Sequence, residues 1–308
     1  MTKGWETTSF SDVCSIDSAL VDPREAEYSD LLHVGGANIE SSNGVLIDLK
    51  TAKDEGLKSG KFLFDDSTVL YSKIRPYLMK VARPEFRGLC SADIYPLTPK
   101  PGVLERDYLY HVLLSPEFTD FAVAGSARAG MPKVNRDHLF SYGFLLPPLA
   151  EQQRIVGILD EAFEGIATVK ANAEKNLQNA HALFETIGVV RLIETDVEFS
   201  IFVSVALIKP VLRELGPYLV YALRASCVQS QIVPQGAALK HLYLVDLRRL
   251  GIPLPPLSEQ NRIVARLDSL AEETQRLATI YERKLAALDD LKKSLLHRAF
   301  SGQWIMEN

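Results

Sequence analysis

The segment Leu146-Pro-Pro-Leu-Ala-Glu-Gln-Gln-Arg-Ile-Val-Gly-Ile-Leu-Asp160 returns 108 residues later as Leu254-Pro-Pro-Leu-Ser-Glu-Gln-Asn-Arg-Ile-Val-Ala-Arg-Leu-Asp268, identical at eleven of fifteen positions. A chain that repeats itself at this length builds one unit twice. The likeness runs backwards from there. Tyr108-Leu-Tyr-His-Val-Leu-Leu114 answers Tyr218-Leu-Val-Tyr-Ala-Leu-Arg224, and Ser141-Tyr-Gly-Phe-Leu-Leu-Pro-Pro148 answers Arg249-Leu-Gly-Ile-Pro-Leu-Pro-Pro256.

Each unit ends in the same transition. An apolar, strand-like stretch stops at Pro-Pro, because proline lacks the N–H a ladder needs and restricts the residue before it. A helix then starts: Ser258 is a suitable N-cap, and Glu151 and Glu259 put negative charge in the first turn, where the helix dipole favours it. Downstream, Ile155, Leu159, Ala162, Ile166, Val169, Ala173, Leu177, Ala180 and Phe184 step by three or four. The second copy repeats the stripe with Ile263, Leu267, Leu270, Leu277, Tyr281, Leu288, Leu291 and Leu295. The spacing predicts two proline-free rods of about 36 to 40 residues, roughly 55 to 60 Å long at 1.5 Å per residue. Each has an apolar seam to bury, so the expectation is an antiparallel pair; the alternative is two separate helices lying on globular domains or on a second chain.

Residues 1–149 read as a mixed, strand-rich domain, with strands at Lys61–Phe64, Ser67–Ser72 and Cys90–Leu97 and one helix over Arg106–Leu114 ahead of Pro116. The fold class is therefore α+β. The net charge of −5 argues against a chain that coats nucleic acid indiscriminately, since non-specific affinity needs many cations, so a nucleic-acid role must use a local patch. Tyr71–Arg87 is one: five basic residues and three aromatics surround a single acid. Within it Lys73, Arg75, Tyr77 and Lys80 are candidate contacts to phosphates or base edges. The small-residue loop Gly125-Ser-Ala-Arg-Ala-Gly-Met-Pro-Lys-Val134 adds Arg128 and Lys133, with a backbone able to approach phosphates closely. Taken alone, the first segment also suits a solvated strand face and the second an ordinary loop.

Searches for catalytic chemistry find nothing. The six histidines lack metal-ligand spacing, no G-x-S-x-G elbow or phosphate-binding glycine loop exists, and Asp65-Asp66 reads as a turn rather than a nuclease site. The Pro-Pro pairs follow leucine, not the Asn or Asp of an amino-methyltransferase tetrapeptide. Three scattered cysteines, no apolar leader and no apolar run long enough for a membrane fit a cytoplasmic protein.

A strand-rich domain with a basic patch, then Leu-Pro-Pro-Leu-x-Glu-Gln-x-Arg-Ile-Val-x-x-Leu-Asp and a long helix, all occurring twice, resembles the specificity subunit (HsdS) of type I restriction-modification systems. Supporting features are Trp5-Glu6, Val69–Leu78 and Leu295–Gln303. The resemblance implies a non-catalytic DNA reader with a first target-recognition domain (1–149), a first spacer helix (150–187), a second recognition domain (188–257), a second spacer helix (258–300) and a tail (301–308). It implies double-stranded DNA, methyltransferase subunits and restriction subunits as partners, which would carry S-adenosylmethionine, ATP and Mg²⁺. Lys73, Arg75, Tyr77, Lys80, Arg128 and Lys133 would contact DNA. Glu151, Gln152 and Arg154, with Glu259, Gln260 and Arg262, would fix the helix starts or touch the methyltransferase subunits.

The chain departs from the family in its second unit. About 70 residues separate Glu185 from Pro255, against 146 ahead of the first Pro-Pro. Ser204–Pro210 lines up with the Cys90–Pro99 strand, and nothing corresponds to residues 1–85. The second half-site is thus expected to be read weakly or not at all, unless a second copy of the chain, as a homodimer, supplies another first domain. A coiled-coil scaffold or internally deleted remnant without specific DNA binding is the competing expectation.

Overall fold

A computed structural model of the chain describes residues 4–126, 131–182, 190–193, 195, 206–232 and 244–303. In chain order the elements are β1 (Glu6–Ser9), α1 (Phe10–Val13), β2 (Cys14–Ser15), β3 (Leu20–Val21), β4 (Leu32–Val34), β5 (Lys50–Thr51), β6 (Lys61–Phe64), β7 (Val69–Ser72), β8 (Val81–Ala82), β9 (Gly88–Cys90), β10 (Ile94–Pro99), α2 (Arg106–Leu113), α3 (Pro116–Ala124), α4 (Arg136–Phe140), β11 (Gly143–Leu146), α5 (Leu149–Ala182), α6 (Gly216–Arg224), α7 (Ser226–Gln229), α8 (Leu244–Leu247) and α9 (Leu257–Phe300). They form two compact units, Met1–Thr168 with Ala287–Asn308, and Val169–Ala286.

The first unit holds three sheets. One orders its strands β2-β10-β7-β8, a second β3-β6-β9-β4-β5, and a third pairs β1 with β11. The last ties the start of the chain to the strand just before Pro147-Pro148, with Glu6 opposite Leu146. The single apolar stretch read from Cys90 to Leu97 is two strands, because the Ser91–Asp93 turn breaks it: the Ile94 N–H bonds the Ser91 carbonyl at 2.9 Å. β9 then joins one sheet and β10 another.

Between the first sheet and the helices lies an aromatic core in which Phe10, Tyr71, Tyr108 and Phe118 are at most 1% exposed. Each such ring contributes about 1.5–3 kcal/mol by leaving water. Ser115 starts α3 by accepting the Phe118 N–H at 3.2 Å, so Pro116, which ends α2 in sequence, also opens a helix where its missing N–H costs nothing.

α5 and α9 both meet this core. Ile155, Val156 and Leu159 from the first turns of α5 share one apolar cluster with Leu296 and Ala299 from the last turns of α9. The helix that leaves the domain and the helix that returns to it are packed together there, the arrangement an antiparallel pair requires. α9 begins one residue before Ser258, which therefore lies inside its first turn; the Pro256 carbonyl accepts the first N–H groups, from Glu259 at 2.9 Å and Gln260 at 3.0 Å.

The described residues of the second unit match the helical half of the repeat. α6, α7, α8 and the start of α9 follow in the order of α2, α3, α4 and α5. No strand occurs among its described residues, and 206–210 are irregular rather than a counterpart of β10; Ser204 and Val205 lie outside the described residues.

Candidate nucleic-acid interface

The connection from β7 to β8 carries the basic segment, and its backbone is held on both sides. The Val134 N–H bonds the Lys73 carbonyl at 2.9 Å, the Arg75 N–H bonds the Pro132 carbonyl at 3.0 Å, and Ile74 and Lys133 form an antiparallel bridge. The basic segment and the end of the glycine loop, far apart in sequence, thus lie side by side along one edge. A 3₁₀ turn at Pro76–Leu78 follows, flanked by Arg75 at φ 50° and Met79 at φ 46°. Left-handed backbone at non-glycine residues costs about 1–3 kcal/mol each and persists only where the surroundings impose it. Here Pro76 is buried, α3 packs on the turn, and the Met79 carbonyl accepts the Ser42 N–H at 3.1 Å.

The candidate contacts divide by what they touch. Lys73 donates to the Ala92 carbonyl, lies 3.7 Å from Asp93 and sits 4.9 Å from the centre of the Tyr95 ring. Burial, with the Lys133 charge beside it, lowers its pKa. Lys133 bonds the same Asp93 carboxylate at 3.0 Å. Lys80 donates to the Gly36 carbonyl, which ties the edge to the Gly35-Gly36 turn. Arg75 and Tyr77 are different: both are exposed, and among the described residues neither side chain has a partner. Arg128 lies outside the described residues. Asp65 serves its turn, accepting the Ser67 N–H at 3.0 Å and the Ser67 hydroxyl at 2.6 Å, and among the described residues no group of three or more His, Cys, Asp or Glu is placed to hold a metal.

The helix starts are locked by the repeated motif. Gln152 is fully buried: its Oε1 accepts the Glu105 N–H at 2.8 Å, and its Nε2 donates to the Val103 and Pro147 carbonyls at 2.9 and 2.8 Å. In the second unit Gln260 donates to the Pro255 carbonyl at 2.7 Å, but its Oε1 has no partner. The residue matching Glu105 is Leu215, whose N–H already bonds the Leu212 carbonyl at 3.1 Å. The neighbouring pairs Glu151–Arg154 and Glu259–Arg262 each close at 2.7 Å along their own helix.

One junction was not legible in the sequence. Arg83, just after β8, donates to both Asp160 oxygens at 2.7 and 3.2 Å, and lies 3.3 Å from Asp107 and 4.6 Å from the centre of the Tyr110 ring. Buried His111 bonds the same Asp160 carboxylate at 2.9 Å. Burial of Asp160 opposes ionisation, but the bonds from His111 and Arg83 and their charge outweigh it and hold the carboxyl at about 2. Burial lowers the His111 pKa despite Asp160, so the ring is neutral near pH 7. In the second unit Tyr221 stands where His111 does, and its hydroxyl bonds Asp268 at 2.5 Å. Burial and that bond push the Tyr221 hydroxyl up to about 12, which keeps it a donor. Likewise Tyr108 bonds the Leu145 carbonyl at 3.3 Å and Tyr218 the Pro253 carbonyl at 2.8 Å. Those repeated positions, Tyr-x-x-His with Asp160 and Tyr-x-x-Tyr with Asp268, were the available signal; their pairing across 49 residues was not.

The family model for the type I restriction modification DNA specificity domain matches residues 2–179 and, again, residues 169–282. The chain belongs to this specificity-domain family. Its repeat is the family domain matched twice, the second time over a shorter stretch. Among curated relatives, the specificity subunit of the type I restriction enzyme EcoDI from Escherichia coli is 33% identical over 183 residues, which are 59% of this chain and 40% of that protein. The EcoBI specificity subunit from the same organism is 30% identical over 129 residues, 40% of this chain and 27% of that protein. The aligned stretches thus span less than half of either relative. A structure solved to explain complex assembly and conformational transition of a type I R-M system superposes with a TM-score of 0.75 at 19% identity, covering 97% of this chain and 98% of that one. The HsdS subunit from Thermoanaerobacter tengcongensis superposes at 0.60, also 19% identical, over 98% of both chains. At that identity the superpositions speak for a shared fold.

Proposed function

We propose that this specificity-family chain is the non-catalytic DNA-reading subunit of a type I restriction-modification complex. The observation that carries this reading is the edge on which the basic segment and the glycine loop meet, with Arg75 held outward and uncommitted while Lys73, Lys80 and Lys133 brace the backbone around it. Lys73, Arg75, Tyr77, Lys80 and Lys133, with Arg128, supply the contacts; Arg75 and Tyr77 reach the nucleic acid directly, and the three lysines add field while holding the edge in shape. Methyl transfer and cleavage, with S-adenosylmethionine, ATP and Mg²⁺, belong to methyltransferase and restriction subunits in the cytoplasm. Among the described residues no helix is long and apolar enough to cross a membrane. Because the second unit lacks strands among its described residues, the second half-site is read by the first domain of another copy of the chain.

The test is the salt dependence of duplex binding by the full chain. A reader loses affinity linearly in log salt, and replacing one phosphate-contacting cation lowers the slope by about 1. Arg75→Ala is expected to do so; unchanged affinity and slope would reject the edge as the interface.

A further inference from the structure

Among the described Phe, Tyr and Trp residues Tyr77 is the most exposed, standing 51% out of the surface, while the others of its unit are buried or half-buried. Its position is imposed rather than incidental. It occupies the middle of a one-turn 3₁₀ segment closed by two backbone bonds, from the Leu78 N–H to Arg75 and the Met79 N–H to Pro76, both at 2.9 Å. The left-handed residues Arg75 and Met79 bracket that turn, so the backbone reverses sharply on both sides of the ring. Buried Pro76 anchors the turn from beneath and leaves Tyr77 at its crest. On the segment bonded to this edge Met131 is 56% exposed, one residue before the Pro132 carbonyl that accepts the Arg75 N–H. The segments that carry Tyr77 and Met131 also carry Lys73, Arg75, Lys80 and Lys133, of which Lys73 and Lys133 share Asp93.

We infer that Tyr77 is a stacking wedge that inserts against a base step of the bound duplex. The inference rests on the reading of this edge as the DNA interface and assigns the ring a role that charge cannot fill. A polyanion brought in by the cations meets a rigid ring at the apex of a turn that cannot fold away. Proteins that insert apolar side chains between base pairs repay the lost stacking with ring contact and with the extra surface a kinked duplex wraps. A tyrosine suits this because its body is apolar and its hydroxyl tolerates a wet, phosphate-lined surround.

The experiment uses the full chain and a duplex selected by it from a random pool, with bending read from the mobility of circularly permuted fragments. The wild type is expected to bend the duplex by about 20° or more. Tyr77→Ala should abolish the bend and weaken binding by about tenfold or more, whereas Tyr77→Phe keeps both, since only the ring face is needed. Because the side chain lies outside the core, both variants should keep the wild-type denaturation midpoint. Straight DNA in the wild-type complex, or a bend that survives Tyr77→Ala, overturns the wedge while leaving the interface intact and assigns the exposed ring to a protein partner. Failure of the wild type to bind any selected duplex overturns both.

Discussion

Replacing Gln152 by alanine asks whether the repeated Glu-Gln motif is a structural lock, and the two copies provide an internal control. In the first unit the amide makes three hydrogen bonds, to the Glu105 N–H and to the Val103 and Pro147 carbonyls, at 2.8 to 2.9 Å. At about 1 kcal/mol net per bond, the truncation should cost ~3 kcal/mol, with the buried partners it strands adding to the loss. The equivalent Gln260 makes one such bond and leaves its Oε1 unpaired, so Gln260→Ala should cost ~1 kcal/mol or less. Trp5 packs on the core of the first unit, so its fluorescence in a urea titration follows that unit. With a slope of about 2–3 kcal/mol per molar urea, Gln152→Ala should move the midpoint down by about 1 M or more. Gln260→Ala should leave the tryptophan transition in place and shift only the helical circular dichroism. Equal effects from the two substitutions, or a Gln152→Ala shift below about 0.3 M, would refute the argument that the difference lies in hydrogen-bond count.

Acid should weaken the first unit in two stages. His111 has its pKa lowered by burial, so the unfolded chain takes up a proton that the folded one refuses, and stability falls as pH drops below the ordinary value of 6.5. Asp160 is held at about 2, so its contribution is present above its ordinary 3.8 and lost as pH falls from there towards 2. A urea midpoint measured against pH checks both: His111→Gln should remove the upper stage and, because the imidazole helps hold Asp160 ionised, shrink the lower one; a profile flat from pH 7 to 4 in the wild type would contradict the assignment. Gly44→Ala should destabilise the first unit by more than about 2 kcal/mol, because its φ of +71° disfavours any Cβ and the added carbon would meet the Val81 carbonyl at 2.8 Å and the Tyr110 hydroxyl. A thermal melt within about 2 °C of the wild type would show that the loop yields instead.

The sequence by itself determined the duplication, the α+β class, the two rods and the shortness of the second unit. All of these are one-dimensional signals: identity at a fixed offset, apolar residues every three or four positions, and prolines that end one element and begin the next. It also marked two basic stretches as candidates, 71–87 and 125–134. Their joining into one edge was a tertiary result, because it depends on Arg75 and Ile74 bonding a segment more than fifty residues away. So was the division of labour among the cations. Lys73, Arg75, Lys80 and Lys133 look alike in sequence, yet three bond a carbonyl or Asp93, while Arg75 is exposed and has no side-chain partner among the described residues. The Arg83–Asp160–His111 junction belongs to the same class. Asp160 was visible as a repeated residue, but its ionisation and its partners come from burial and from the packing of α5 on α2, quantities that no local pattern of residues encodes.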